Sequence, residues 1–263
     1  MNMRKIVIIA IGVLVIGAGL NIFFSIRDTL VEKSDEITLT ESFENIEILV
    51  ENATVEILPS DDSTTTVSFE GKMKSKSKYK FKADVKKNTL QVELTNKKWS
   101  TIGFNFNPFS VKVTVYVPEQ EYKKIKADSD NGALVADRIQ AEDINFKTNN
   151  GRIHVKQVEN SNVYARTNNG RIVLEDVDGD IDAITNNGRI ELYTDKLDHT
   201  INLSTDNGKV FIETKEKPTN ATIKASTDNG KISVFGKSNE HTEFGKGHNQ
   251  ITIETDNGSI TVK

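Results

Sequence analysis

The chain contains no cysteine. That excludes a disulfide scaffold, a thiol nucleophile, thiolate metal sites and a lipoprotein anchor. Aromatic residues make up only 7% of the 263 positions, with a single Trp. A core poor in rings must be built from Ile and Val, as in a narrow stacked sheet. A Gly-x-Ser-x-Gly elbow, a phosphate loop and an HExxH helix are all missing, so no catalytic constellation and no cofactor is implied. There is no excess of positive charge either. The formal net charge of −4, without a recognition helix or an aromatic platform, excludes a nucleic-acid partner.

What the chain has instead is one sentence repeated. Ile144 to Val155 reads I-N-F-K-T-N-N-G-R-I-H-V, and close copies begin at Val163, Ile181, Ile201, Ile223 and Ile251, with a weaker one at Ile125. The turn glycines are Gly132, Gly151, Gly170, Gly188, Gly208, Gly230 and Gly258, spaced by 19, 19, 18, 20, 22 and 28 residues. A period near twenty residues signals stacked units. Counting from each glycine, apolar or small residues fall at minus seven and minus five, Thr or Ser at minus three, and an aliphatic residue at plus two. This is period-two alternation on both sides of a turn, the mark of strands with one buried face. Asn-Gly is expected to provide positive φ at each turn.

Two folds satisfy the pattern. In a β-solenoid each unit is a coil of about 19–20 residues, and equivalent strands stack in parallel. In a row of hairpins each Asn-Gly closes an antiparallel pair. The solenoid is preferred, because near-identical coils bury like on like, Ile on Ile and Thr on Thr. Hairpins need a second regular turn per unit; segments such as Glu175 to Asp180 could supply one, so that alternative stays open. The expected class is all-β, with repeats over 121–263 and an irregular β-rich cap region over 37–120. An insertion from Phe235 to Gln250 precedes the last copy, and it either caps the final coils or forms a loose loop.

The amino end reads differently. Residues 1–5 form a basic stub, 6–26 an apolar span long enough for one transmembrane helix, and 27–36 a charged linker. Arg4 and Lys5 place the stub in the cytoplasm. The expected topology is a single-pass cell-membrane protein with its carboxyl-terminal domain extracytoplasmic and the bilayer as a partner through 6–26. A cleaved signal peptide is the rival reading.

The residues after the turn glycines, Arg152, Arg171, Arg189, Lys209 and Lys231, would stack as a basic ladder on one edge. The functional reading is a track for a cell-envelope protein or an anionic wall or lipid polymer. The plain reading is a solvated edge that resists aggregation, with Glu175, Glu191 and Glu213 near enough to neutralise it. A second basic run, Lys72 to Lys82, alternates with Ser75, Ser77, Tyr79 and Phe81 and reads as a solubilising face. Asp206, Asp228 and Asp256 beside their turns raise calcium, but Asn149, Asn168 and Asn186 hold that place in earlier copies, so no metal is assigned. His154, His199, His241 and His248 lack ligand spacing. Trp99, Phe104, Phe106 and Phe109 form one aromatic cluster, read as core or cap packing.

The repeated Thr-Asn/Asp-Asn-Gly-Arg/Lys-Ile, behind one apolar amino-terminal span, resembles the bacterial putative-adhesin repeat family of unknown function. The resemblance covers about Ile37 to Lys263. It implies a right-handed β-solenoid or related stacked sheets and carries no catalytic residue onto any position here. The expected function is a non-catalytic, membrane-anchored envelope interaction or stress-related module. A wall-polysaccharide enzyme and an end-to-end polymerising scaffold are the alternatives.

Overall fold

A computed structural model describes residues 30–75, 78–96 and 111–263. Two eleven-stranded sheets face each other across a single aliphatic core. Eight coils form the regular stack, each with one strand in either sheet. In spatial order their strand pairs are Asn45–Asn52 with Thr54–Ser60, Glu121–Asn131 with Leu134–Asp137, Gln140–Asn150 with Ile153–Val158, and Asn162–Asn169 with Ile172–Val177. Then come Ile181–Asn187 with Ile190–Thr194, Ile201–Asn207 with Val210–Thr214, Asn249–Asn257 with Ile260–Val262, and Ala221–Asn229 with Ile232–Val234. We call these coils one to eight. The pairing between coils is parallel and in register, with Ile144 opposite Val163, Val163 opposite Ile181 and Ile181 opposite Ile201. Parallel register selects the solenoid over hairpins, which pair antiparallel.

The core follows from the repeat. Positions minus seven and minus five point inward from one sheet, and plus two and plus four from the other. Ile125, Ile144, Ile153, Ile172 and Ile190 are fully buried. Phe146 takes the minus-five place where its neighbours in the stack carry Ala127 and Ala165. Large beside small keeps successive layers interlocked.

The turn glycines do not adopt the conformation expected of them. Gly132 alone among them has positive φ, at 142°, and none of the preceding Asn residues does. They are required by close approach instead. A Cβ built on Gly151, Gly170, Gly188 or Gly208 would stand 1.6–1.8 Å from the carbonyl oxygen of the glycine one coil below. That carbonyl is also where the Thr at minus three donates: Thr167 to Gly151 O (3.2 Å), Thr185 to Gly170 O (3.3 Å), Thr205 to Gly188 O (3.2 Å). From Thr167 onward each turn thus combines a missing side chain with a hydroxyl.

Coil one is an eighth copy that the repeat count from sequence missed. Ile46, Ile48 and Val50 lie opposite Ile125, Ala127 and Ser129, and Asn52 opposite Asn131. Ala53 stands in the glycine place, because the run of turn glycines begins above it.

Both ends of the stack are laid out of sequence order. Coil seven, the carboxyl-terminal segment, lies between coils six and eight. The insertion caps coil eight: His241–Phe244 pairs antiparallel with Ala221–Lys224, and the Phe235 and Phe244 rings meet at 5.6 Å and 85°. At the other end coil one sits between coil two and a layer formed by Thr89–Asn96 and Val111–Pro118. Antiparallel strands Thr65–Lys74, Leu30–Leu39 and Tyr79–Lys86 close that layer. So the carboxyl-terminal segment is tucked inside, whereas at the other end the first described strand, Leu30–Leu39, is the outer edge of its sheet. Antiparallel strands cover both sheets at the coil-one end and one sheet at the coil-eight end, which narrows the open parallel edge through which such a stack would polymerise and tells against the scaffold reading.

The membrane expectation is corrected. There is no helix among the described residues, and none there is long and apolar enough to cross a membrane. Residues 1–5 and 6–26 lie outside the described residues. Among the described residues the fold is all-β stacked sheets, with no transmembrane helix. The single-pass topology, the cytoplasmic stub, the cell-membrane location and the bilayer partner are set aside with it. Residues 30–36, at the end of the expected linker, belong to the edge strand Leu30–Leu39.

Candidate functional site

The basic ladder is brought together by backbone register. Leu134 N–H donates to Arg152 O (2.8 Å), Ile153 N–H to Arg171 O (3.0 Å), Ile172 N–H to Arg189 O (2.9 Å) and Ile190 N–H to Lys209 O (3.0 Å). The ladder then breaks. Val210 N–H donates to Ser259 O (3.0 Å) and Ile260 N–H to Lys231 O (2.9 Å), so Ser259 separates Lys209 from Lys231. Sequence order hides this, since it places Ser259 last.

The five cations do different things. Arg171 and Arg189 both grip Glu191, Arg189 at 3.1 Å, and the Tyr193 hydroxyl donates to the same carboxylate at 3.1 Å. Glu191 points outward in the strand pattern, yet its side chain is only 4% exposed. Burial alone would raise its pKa. Hydrogen bonds from Arg171 and Arg189 outweigh that and hold it below the ordinary carboxylate value. The same contact raises the pKa of Arg171 further. These two arginines are therefore structural partners of a buried acid. Among the described residues no carboxylate lies within ion-pair distance of Arg152, Lys209 or Lys231.

Beside the ladder the outer face carries a feature that sequence reading passed over. Tyr193 and Phe211 sit on adjacent coils with ring centroids 5.8 Å apart, and Lys263 Nζ lies 5.1 Å over the Phe211 ring. The signal was available: both residues fall at outward positions two or four residues beyond a ladder cation. Two strands from Tyr193, His154 is half-buried with Nε2 3.1 Å from Glu175 Oε1 but out of line for a hydrogen bond. Burial lowers its pKa, Glu175 pulls it up, and Arg152 and Lys156 push it down again; the net direction is down.

The other candidates disperse. The lysine run splits between Thr65–Lys74 in one sheet and Tyr79–Lys86 in the other, and Lys80 pairs with Glu93. His199 Nε2 meets Asp178 at 2.5 Å, His248 Nδ1 meets Asn220 at 3.0 Å, and His241 is exposed on the cap strand. Asp206, Asp256 and Asp228 fall on consecutive coils, but no group of His, Asp or Glu able to hold a metal occurs among the described residues. Trp99, Phe104, Phe106 and Phe109 lie outside the described residues. A cleft of about 360 Å³ between Leu49, Asp128, Asp130, Lys147 and Asn149 opens on the sheet opposite the ladder.

Fold and surface together define a two-sheet β-solenoid repeat protein that presents a cationic and aromatic outer face. More specifically, the chain belongs to the Toastrack DUF4097 family, whose model matches residues 43–178 and 125–263. The family is related to LiaG-like bacterial putative adhesins of unknown function. Among solved structures, a putative cell adhesion protein from Clostridium sporogenes is similar at 16% identity and a TM-score of 0.41, covering 89% of this chain and 99% of that one. A putative adhesin from Bacteroides fragilis is similar at 12% identity and 0.44, covering 88% and 97%. A protein titled a putative lipid binding protein, from Parabacteroides distasonis, is similar at 14% identity and 0.42, covering 88% and 97%. No curated protein matches the chain. Family membership goes with a non-enzymatic protein, and the expected alternative of a wall-polysaccharide enzyme is dropped.

Proposed function

We propose that this protein is a non-catalytic interaction module of the bacterial cell envelope, and that its contact surface is the outer face bearing Arg152, Lys209 and Lys231. Its partner chemistry is an anionic envelope polymer or an acidic protein surface. The observation that supports this is the division of labour in the ladder. Arg171 and Arg189 are occupied by Glu191, while the other three cations keep their charge for a ligand. The three fall on coils three, six and eight, so with coils about 4.8 Å apart they mark one line at intervals of about 14 and about 10 Å, beside the rings of Tyr193 and Phe211.

The test uses the full chain and purified anionic wall polymer at low and high salt. Arg152→Gln, Lys209→Gln and Lys231→Gln together leave the Glu191 clamp intact. Binding that is salt-sensitive and lost in the triple variant supports the assignment. Binding unchanged by the three substitutions makes the ladder a solvated edge.

A further inference from the structure

Seven Asn-Gly pairs occur in the chain, at Asn131, Asn150, Asn169, Asn187, Asn207, Asn229 and Asn257. Asn-Gly is the dipeptide most open to deamidation, because glycine has no side chain to hinder attack by its own nitrogen on the preceding amide carbon. Ring closure needs two freedoms. The Asn side chain must swing so that Cγ lies over the next nitrogen, and that nitrogen must give up its proton.

Inside the solenoid the stack removes the first freedom, and at Gly132, Gly170, Gly188, Gly208 and Gly258 the second as well. Asn169 Nδ2 donates to Asn150 Oδ1 at 2.9 Å, and Asn169 Oδ1 accepts from Asn187 Nδ2 at 2.9 Å. Gly170 N–H is committed to Asn187 O at 3.1 Å. Asn131, Asn150, Asn187, Asn207 and Asn257 are likewise held on both sides of the side chain. Asn229 is not. Its Nδ2 donates to Asn257 Oδ1 at 3.1 Å, but coil eight is the last of the stack, and among the described residues no further coil covers Oδ1 or the Gly230 N–H. The cap stops short of it. His241–Phe244 pairs only with Ala221–Lys224, and Glu240 O takes the Ala225 N–H at 2.8 Å. Thr227 is half-buried where Thr255, one coil in, is buried.

We infer that Asn229–Gly230 is a modification site, the one Asn-Gly pair of the folded chain poised for spontaneous deamidation. Gly230 N attacks Asn229 Cγ. A carbon–nitrogen bond forms, ammonia leaves, and a succinimide results. Water then opens the ring, at the side-chain carbonyl to give Asp or at the main-chain carbonyl to give isoaspartate. The Asp product puts a carboxylate where the Nδ2 donor faced Asn257 Oδ1, and in the isoaspartyl product that donor is gone because Cγ has become part of the main-chain amide, so the last rung is lost either way. It also adds charge beside Asp228 and Asp256. The isoaspartyl form lengthens the backbone inside the turn and loosens coil eight alone.

The experiment incubates the full chain in mildly alkaline buffer and follows all seven pairs by peptide mapping, with the unfolded chain in denaturant as the control. An interior pair must first break about two more hydrogen bonds, so Asn229 is expected to convert about thirtyfold faster than Asn169 or Asn187. In denaturant the seven rates should converge. Folded rates at Asn169 equal to those at Asn229, or an Asn229 that resists while interior pairs convert, would overturn the assignment.

Discussion

A Cβ on Gly170 would stand 1.8 Å from the carbonyl oxygen of Gly151, one coil away. No rotamer relieves that contact, because Cβ is fixed by the backbone. Gly170→Ala must therefore push two coils apart and disturb the Thr167 bond to Gly151 O, at about 3 kcal/mol, the upper end of the overpacking range. Arg171→Ala should cost about 1 kcal/mol, since Arg171 is 47% exposed and solvent screens its pair with Glu191. Urea unfolding of the two variants checks the ranking. Equal losses would sink the close-approach account of the turn.

The Thr rungs offer a paired measurement. Thr185 Oγ1 donates to Gly170 O at 3.3 Å, whereas Thr148 Oγ1 is buried without a partner. The difference follows from Gly132, whose φ of 142° breaks the pattern of the other turns. Thr185→Val takes the hydroxyl partner from the Gly170 carbonyl and should cost about 1–2 kcal/mol. Thr148→Val removes an unmet hydroxyl and should be neutral or slightly stabilising. Thermal melts that showed the same loss for both would mean that the hydroxyls are not what satisfies the glycine carbonyls.

These contacts show what the sequence could disclose. The stacked coils and their inward residues were legible, because one buried face per strand writes itself as alternation, and Ile144 over Ile125 needs only the period. The glycine requirement was legible but its cause was not. Asn-Gly looks the same whether φ is positive or a neighbouring carbonyl is close. Spatial order was illegible. Coils six, seven and eight carry nearly the same sentence, so Thr205, Thr255 and Thr227 could stack in any order by local fit. Coil one was hidden by a single substitution, Ala53 at the end of the glycine run. Of the candidate site, the line of cations was visible, while the capture of Arg171 and Arg189 by Glu191 depends on which side chains bend towards one another across coils.

Coil seven should behave as an interior layer although it ends the chain. Ile253 is fully buried, so Ile253→Ala should cost about 2–5 kcal/mol, as in any closed core. Because the protein has no cysteine, engineered pairs report neighbours without background. Asn202 faces Thr252, and Thr252 faces Lys224. Asn202→Cys with Thr252→Cys should oxidise to an intramolecular disulfide. Asn202→Cys with Lys224→Cys should not, since coil seven lies between them. The reverse result would restore sequential stacking.

Acid should act on the outer face in two steps. His154 has a folded pKa below its ordinary 6.5, chiefly through burial. The unfolded chain therefore binds that proton first, and stability should begin to fall as pH drops below 6.5 towards the folded value. Glu191 has a folded pKa below 4.5, held there by Arg171 and Arg189 against its burial. Its contribution is complete above pH 4.5 and is lost as pH falls through the folded value. Unfolding midpoints measured across acid pH should show both limbs. His154→Gln should flatten the upper limb and leave the lower one, because no proton is then taken up at that position. Glu191→Gln should do the opposite. A variant lacking His154 that kept the full upper limb would shift the cause to other groups, and the Arg152, Lys156 and Glu175 charges around the imidazole would then have no part in it.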